Sequence, residues 1–294
     1  MTDIHGLGTA LITPFDADGK VDYNALARLL DTQLTGDVDY IVVLGTTGEA
    51  ATLSAEEKRE VRQFIVRHVD GRLPLVLGIG GNNTVAVVQD IRAMQKELAR
   101  DYAAILSVCP YYNKPSQEGL YQHFCAIATA SPVPVILYNV PGRTGVNLLP
   151  ETVMRIYEAC PDKIAGIKEA SGNVEQIKQL IALSAPYSAF SVISGDDGIA
   201  CELMEAGAAG LISVASNAFP KDFHRIVHHK DAALQAQYTE MIRLLFVEGN
   251  PAGIKTALAQ KGIIGNYLRL PLVPNSPAIQ EQIRLCAKHS ASAN

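Results

Sequence analysis

The chain has 294 residues, 48% of them hydrophobic, and a formal net charge of −5. That length supports one large core or a core with an appended subdomain, and the acidic balance gives no electrostatic basis for nucleic-acid binding. No apolar run reaches the ~18 residues of a membrane span, and Met1-Thr2-Asp3-Ile4-His5 lacks the basic and apolar regions of a signal peptide, so a cytoplasmic protein is expected.

Short, β-branched apolar runs recur at intervals of about 30 residues, each followed by a longer segment with helical periodicity. They fall at 7–14, 40–44, 73–79, 103–109, 133–139, 164–169, 191–195 and 210–215. After the first, Asp16-Ala17-Asp18-Gly19 resembles the start of a calcium loop but lacks the later ligands, and reads as a turn. Helix starts have local causes: Ser54-Ala55-Glu56-Glu57 is a capping box, and Asn83-Thr84 offers a side-chain cap. Pro150 has the preset φ of a first helical position, Ser171-Gly172-Asn173 offers a further cap, and Asp197 is the expected N-cap after the seventh strand. Parallel strands need crossovers of this length, and eight such units close a (β/α)8 TIM barrel. The competing fold is a doubly wound open sheet. Its fingerprint G-x-G-x-x-G is missing, because Gly78-Ile79-Gly80-Gly81-Asn82-Asn83 ends in Asn.

Beyond Asn217 the alternation stops and only helices are expected, at 220–229, 232–246, 252–264 and 278–288, the last two joined by Leu270-Pro271-Leu272-Val273-Pro274. The expected domains are therefore a barrel over 1–217 and a C-terminal helical extension over 218–294. The five cysteines, with no Cys-x-x-Cys, read as reduced, mostly buried thiols rather than a disulfide framework or zinc site. His228-His229 in a polar helix reads as surface.

A barrel of this kind builds its active site at the carboxyl ends of its strands. Those ends carry Gly45-Thr46-Thr47-Gly48-Glu49, Pro110-Tyr111-Tyr112-Asn113, Tyr138 to Gly145, and Ser194-Gly195-Asp196-Asp197. Ile164-Ala165-Gly166-Ile167-Lys168-Glu169 is the most informative strand, since alternation puts Lys168 on the inward face with Ile164 and Gly166 and leaves Glu169 on the other. Desolvation of such an ammonium favours the neutral amine that a carbonyl nucleophile needs. Gly166 leaves space beside the side chain. The other reading is a lysine snorkelling to solvent or paired with Asp196 or Glu49. Tyr111, Tyr112 and Tyr138 are either amphipathic core residues or, with Thr46, members of a hydroxyl chain that moves protons. Asp196 and Asp197 lack the accompanying ligands of a metal site, and no metal is expected.

This residue set resembles the pyruvate-dependent class I aldolases, the family that includes dihydrodipicolinate synthase and N-acetylneuraminate lyase, from Gly6-Leu7-Gly8-Thr9-Ala10 to about Pro274. The resemblance implies that Lys168 forms an imine with pyruvate and that Tyr138, Thr46 and Tyr112 make the proton relay, Tyr112 crossing a tight dimer interface. Thr47, Gly195 and Ile212 would line the pyruvate site. Arg143 favours the synthase branch, where it would bind the carboxylate of aspartate 4-semialdehyde through its planar fork. The implied reaction is condensation of the two substrates to 4-hydroxy-tetrahydrodipicolinate, without cofactor, in a homotetramer. A related aldolase or dehydratase using another aldehyde, and a keto-acid-binding protein without turnover, remain as alternatives. Lysine-regulated members carry polar residues and histidines in an allosteric pocket. The corresponding positions here are Ala50, Ala55, Lys58 and Ala86, while Asn82 and Tyr111 fit, so feedback inhibition by lysine is expected to be weak or absent.

Overall fold

The computed structural model describes residues 4–291, and side chains up to 287. Eight parallel strands are hydrogen-bonded in chain order in a closed barrel: β1 (Gly6–Ala10), β2 (Tyr40–Val43), β3 (Leu75–Gly78), β4 (Ala104–Val108), β5 (Val135–Asn139), β6 (Ile164–Glu169), β7 (Ser191–Ser194) and β8 (Gly210–Ser213). The open doubly wound sheet is thereby excluded. Nearly every strand residue is buried, as expected when helices cover one face of a parallel sheet and the barrel interior fills the other.

The crossover helices begin where side chains satisfy their orphan amides. Ser54 and Glu57 form the capping box of the Ala55–Val69 helix, Asn83 caps Thr84–Ala93, Asn173 caps Val174–Ser184, and Pro150 opens Pro150–Ala159. Near β7 the expectation needs correcting. Asp196, not Asp197, is the cap, its Oδ1 accepting from Gly198 N at 2.8 Å, while Asp197 is buried.

By contacts the chain forms two compact units. One runs from Pro74 to Ile212 together with the residues up to Gly6, and contains β3 to β7 with their helices. The other comprises Leu7–Leu73 and the described residues from Ser213 onward. In the second unit β1 stops at Ala10, four residues before the expected end, because the Asn217 side chain takes over its backbone. Ile12 N donates to Asn217 Oδ1 at 3.1 Å, and Asn217 Nδ2 donates to Ala10 O at 2.8 Å. The helix expected at 232–246 is two, Ala232–Gln237 and Thr239–Phe246. They break at Tyr238, whose buried ring packs edge-on against Phe219 and Phe223 and whose hydroxyl donates to Asp222. The last two helices are Ala252–Gln260 and Pro277–Ala291. Asp16 makes the expected turn, accepting from Asp18 N and Lys20 N. All five cysteines are free thiols, but only Cys109 and Cys201 are fully buried. Among the described residues no helix is long and apolar enough to cross a membrane.

Candidate active site

Register brings Lys168 of β6 beside Tyr138 of β5 on one side and Ile193 of β7 on the other. Lys168 is 6% exposed, and its Nζ lies 4.5 Å from the centroid of the Tyr138 ring. That aromatic face partly replaces lost hydration. Among the described residues no carboxylate forms an ion pair with Lys168: Glu49 is engaged by Lys255, and Asp196 by Gly198 N. The snorkelling, salt-bridged lysine is therefore not what the fold builds.

Two details differ from simple strand alternation. The β5–β6 register shifts between Val135 and Ile136, where Ile164 and Gly166 are the successive partners. Ala165 is thus the extra residue of a bulge, and the period-2 relation to Lys168 holds only from Gly166 onward. Nor does Gly166 make room for the lysine. A Cβ there would sit 2.1 Å from the Ser191 carbonyl oxygen, so the glycine permits close approach of β6 to β7. The room comes from Gly195, where a Cβ would lie 2.9 Å from Lys168 Cε and 2.6 Å from Ala170 Cβ. Ile212, of β8, is buried.

Glu169 faces away from Lys168 into a polar network. Its Oε2 accepts from Asn139 Nδ2 at 2.9 Å and Gln176 Nε2 at 3.3 Å, and its Oε1 accepts from Ser171 N at 2.8 Å. Burial pushes the Glu169 carboxyl above its ordinary value, against the lowering effect of these hydrogen bonds. Asn139 also accepts from Leu148 N at 3.0 Å and donates to Asn147 Oδ1 at 2.8 Å. The network thereby ties both ends of the loop that carries Arg143. In that loop Pro141–Thr144 is one helical turn, Gly145 closes it in the left-handed region, and Arg143 is exposed. The loop abuts the tyrosine pair through Tyr112 N, which donates to Thr144 O at 3.3 Å. Tyr112 itself is 88% exposed with φ +74°, and its hydroxyl has no hydrogen-bond partner among the described residues. A single chain does not bring that hydroxyl into a buried site. Tyr111 is also exposed, its carbonyl accepting from Asn82 Nδ2 at 3.1 Å.

In the other unit, the turn after β2 is bracketed by two non-glycine residues in the left-handed region, Leu44 at φ +56° and Glu49 at φ +51°. Thr46 is exposed on it, and Thr47 is buried, its Oγ1 accepting from Asn250 Nδ2 at 2.9 Å. Glu49 and Lys255 are both fully buried, with Nζ 2.5 Å from Oε1. Lys255 also donates to Tyr267 O at 3.0 Å and lies over the Phe15 ring, 4.1 Å from its centroid. Burial lowers Lys255 to about 8. Arg269 N donates to Glu49 Oε2 at 3.2 Å, and the Arg269 guanidinium grips Glu57 bidentately at 2.9 and 2.5 Å. That grip holds the Glu57 carboxyl down at about 2.

Asn250, Lys255 and Arg269 were not among the expected site residues, since they lie some 200 residues downstream of the turn they support. One signal was available. Ala252-Gly253-Ile254-Lys255-Thr256-Ala257-Leu258 is apolar on every side of a helix, and a lysine there requires a buried partner. Asn139 and Gln176 carried no such signal.

The chain matches the model of the dihydrodipicolinate synthetase family over residues 3–290. It is 50% identical over 293 residues to a 4-hydroxy-tetrahydrodipicolinate synthase of Parabacteroides distasonis, covering 97% of each chain. Its structure superposes on dihydrodipicolinate synthase from Thermotoga maritima with a TM-score of 0.93 at 38% identity, covering 98% of this chain and 99% of that one. The chloride-inhibited dihydrodipicolinate synthase from Acinetobacter baumannii, solved with pyruvate, superposes with a TM-score of 0.92 at 41% identity, covering 98% and 99%. A barrel with this strand order, a buried lysine on β6 and near-complete correspondence to these relatives together mean that the chain belongs to the dihydrodipicolinate synthetase family.

Proposed function

We propose that the protein condenses pyruvate with L-aspartate 4-semialdehyde through an imine on Lys168, releasing 4-hydroxy-tetrahydrodipicolinate for lysine and diaminopimelate biosynthesis in the cytoplasm. The observation that carries this is the buried amine of Lys168 against the Tyr138 ring, in a chain so similar to a named 4-hydroxy-tetrahydrodipicolinate synthase.

The Lys168 amine adds to C2 of pyruvate, and the ketone oxygen leaves as water. Loss of a C3 proton gives the enamine, whose C3 attacks the aldehyde carbon while the aldehyde oxygen takes up a proton. The amino group of the semialdehyde then attacks C2, displacing Lys168 and closing the ring. Tyr138, Thr46 and Tyr112 relay the protons, and Thr47, Gly195 and Ile212 line the pyruvate site. Tyr112 works from a neighbouring subunit of a homotetramer, a role that suits a tyrosine left 88% exposed in one chain. No cofactor enters these steps.

The test is borohydride reduction in the presence of pyruvate, followed by peptide mass mapping. A reduced pyruvate adduct on Lys168 is expected; its absence would favour a keto-acid-binding protein without turnover and defeat the proposal. Arg143→Ala separates the choice of aldehyde from imine formation. The variant should keep the pyruvate adduct while kcat/KM for the semialdehyde falls roughly 10- to 100-fold, the loss of a charge-assisted bidentate contact. Unchanged kinetics with the semialdehyde would point to a different aldehyde partner.

Weak or absent feedback inhibition by lysine belongs to the same reading. Methyl groups at Ala50, Ala55 and Ala86 cannot hydrogen-bond an ammonium, and Lys58 adds a like charge, although Asn82 and Tyr111 are present. Turnover is expected to persist in millimolar lysine, and strong inhibition would refute this.

A further inference from the structure

The Pro220–His229 helix presents His224 and His228, one turn apart and stacked with ring centroids 4.2 Å apart. Opposite them, in the segment leading into β2, stands Asp39, whose Oδ2 lies 2.7 Å from His228 Nε2. One ligand atom from each of the three residues falls within 4.8 Å of the others. The surroundings orient them. His224 Nδ1 lies 2.6 Å from the Asp37 carbonyl oxygen, which can only accept, so the ring proton sits on Nδ1 and Nε2 presents a lone pair. Asp39 Oδ2 also accepts from Leu7 N at 2.6 Å, which pins the carboxylate to the start of β1. All these residues belong to one compact unit.

We propose that Asp39, His224 and His228 form a binding site for a divalent transition-metal ion, zinc being the best match to two imidazoles, one carboxylate and a water. Metal–ligand bonds of about 2.0–2.1 Å place tetrahedral ligand atoms roughly 3.3 Å apart, within a small side-chain adjustment of the arrangement present. The ion takes the place of the hydrogen between His228 Nε2 and Asp39 Oδ2, with His228 shifting to its Nδ1–H tautomer. The site lies at the amino ends of β1 and β2, the barrel end associated with stability, so the ion would clamp the Pro220–His229 helix to the first strands and not take part in the chemistry. In the sequence His228 stands 189 residues from Asp39 and looked like an ordinary surface histidine.

The test is titration of the full-length protein with zinc against a chromophoric chelator, and with cobalt(II) by visible spectroscopy. One equivalent per chain is expected, with the visible bands of tetrahedral cobalt and no thiolate charge-transfer band from the five cysteines. The double variant His224→Ala/His228→Ala should lose that equivalent while keeping its turnover, which shows that it is folded. Asp39→Asn, which can still accept from Leu7 N, should bind more weakly than the unaltered protein. No bound equivalent, or one that survives in the double variant, overturns the proposal.

Discussion

Lys168→Ala is expected to show no borohydride-trapped pyruvate and to lose at least about 1000-fold in kcat/KM, since about 4 kcal/mol or more of transition-state stabilisation resides in the covalent step. Loss of folding is not the expected cause. The side chain that the substitution removes is 6% exposed and has no carboxylate partner among the described residues, so its deletion leaves no buried countercharge unpaired. A urea midpoint close to that of the unaltered protein would establish this. Lys168→Arg adds a sharper control, because a guanidinium keeps the charge and the Tyr138 contact yet cannot supply a neutral amine. An adduct on another lysine, or turnover near the original rate in either variant, would remove Lys168 from the mechanism.

The second large effect concerns stability. Lys255→Ala should destabilise the protein by about 3–5 kcal/mol, because it leaves Glu49 buried with its principal countercharge gone. Arg269 does not compensate, since it reaches Glu49 only through its backbone amide while its guanidinium is committed to Glu57. Denaturant midpoints measured at constant m-value would read the loss. The double variant Glu49→Gln/Lys255→Met removes both charges and should recover most of it, whereas additive losses would show that the pair is not coupled. Glu49 closes the turn that holds Thr46 and Thr47, so Lys255→Ala should also depress turnover beyond the unfolded fraction.

Much of the architecture was legible in the residues alone. Eight β-branched runs, each followed by a segment long enough for a crossover, exclude hairpins, and the caps at Ser54, Asn83, Pro150 and Asn173 act within one helical turn of themselves. The lysine at a strand end was legible for the same reason, since alternation is a property of a single strand. Where a distant segment supplies the competing partner, the local pattern misleads. Asn217 shortens β1, and Tyr238 divides a helix to reach Asp222, Phe219 and Phe223. Asp196 caps where Asp197 was expected, a one-residue difference set by which carboxylate the fold buries.

By itself, then, the sequence determined the class of fold, the strand that bears the nucleophile, and through family resemblance the chemistry to look for. Only the tertiary structure decided what surrounds that nucleophile: Tyr138 beneath its amine, Gly195 rather than Gly166 making its room, and, behind it, the partners that join Glu169 to a network tying down the Arg143 loop. It alone paired Glu49 with Lys255 and brought Asp39 to His228, residues about 200 positions apart. The division follows from range. Propensity, capping and alternation are set by neighbours within a turn or two, whereas the partner of a buried polar group is set by which segments the closed barrel packs together, and the cost of leaving such a group unpaired appears only once it is buried.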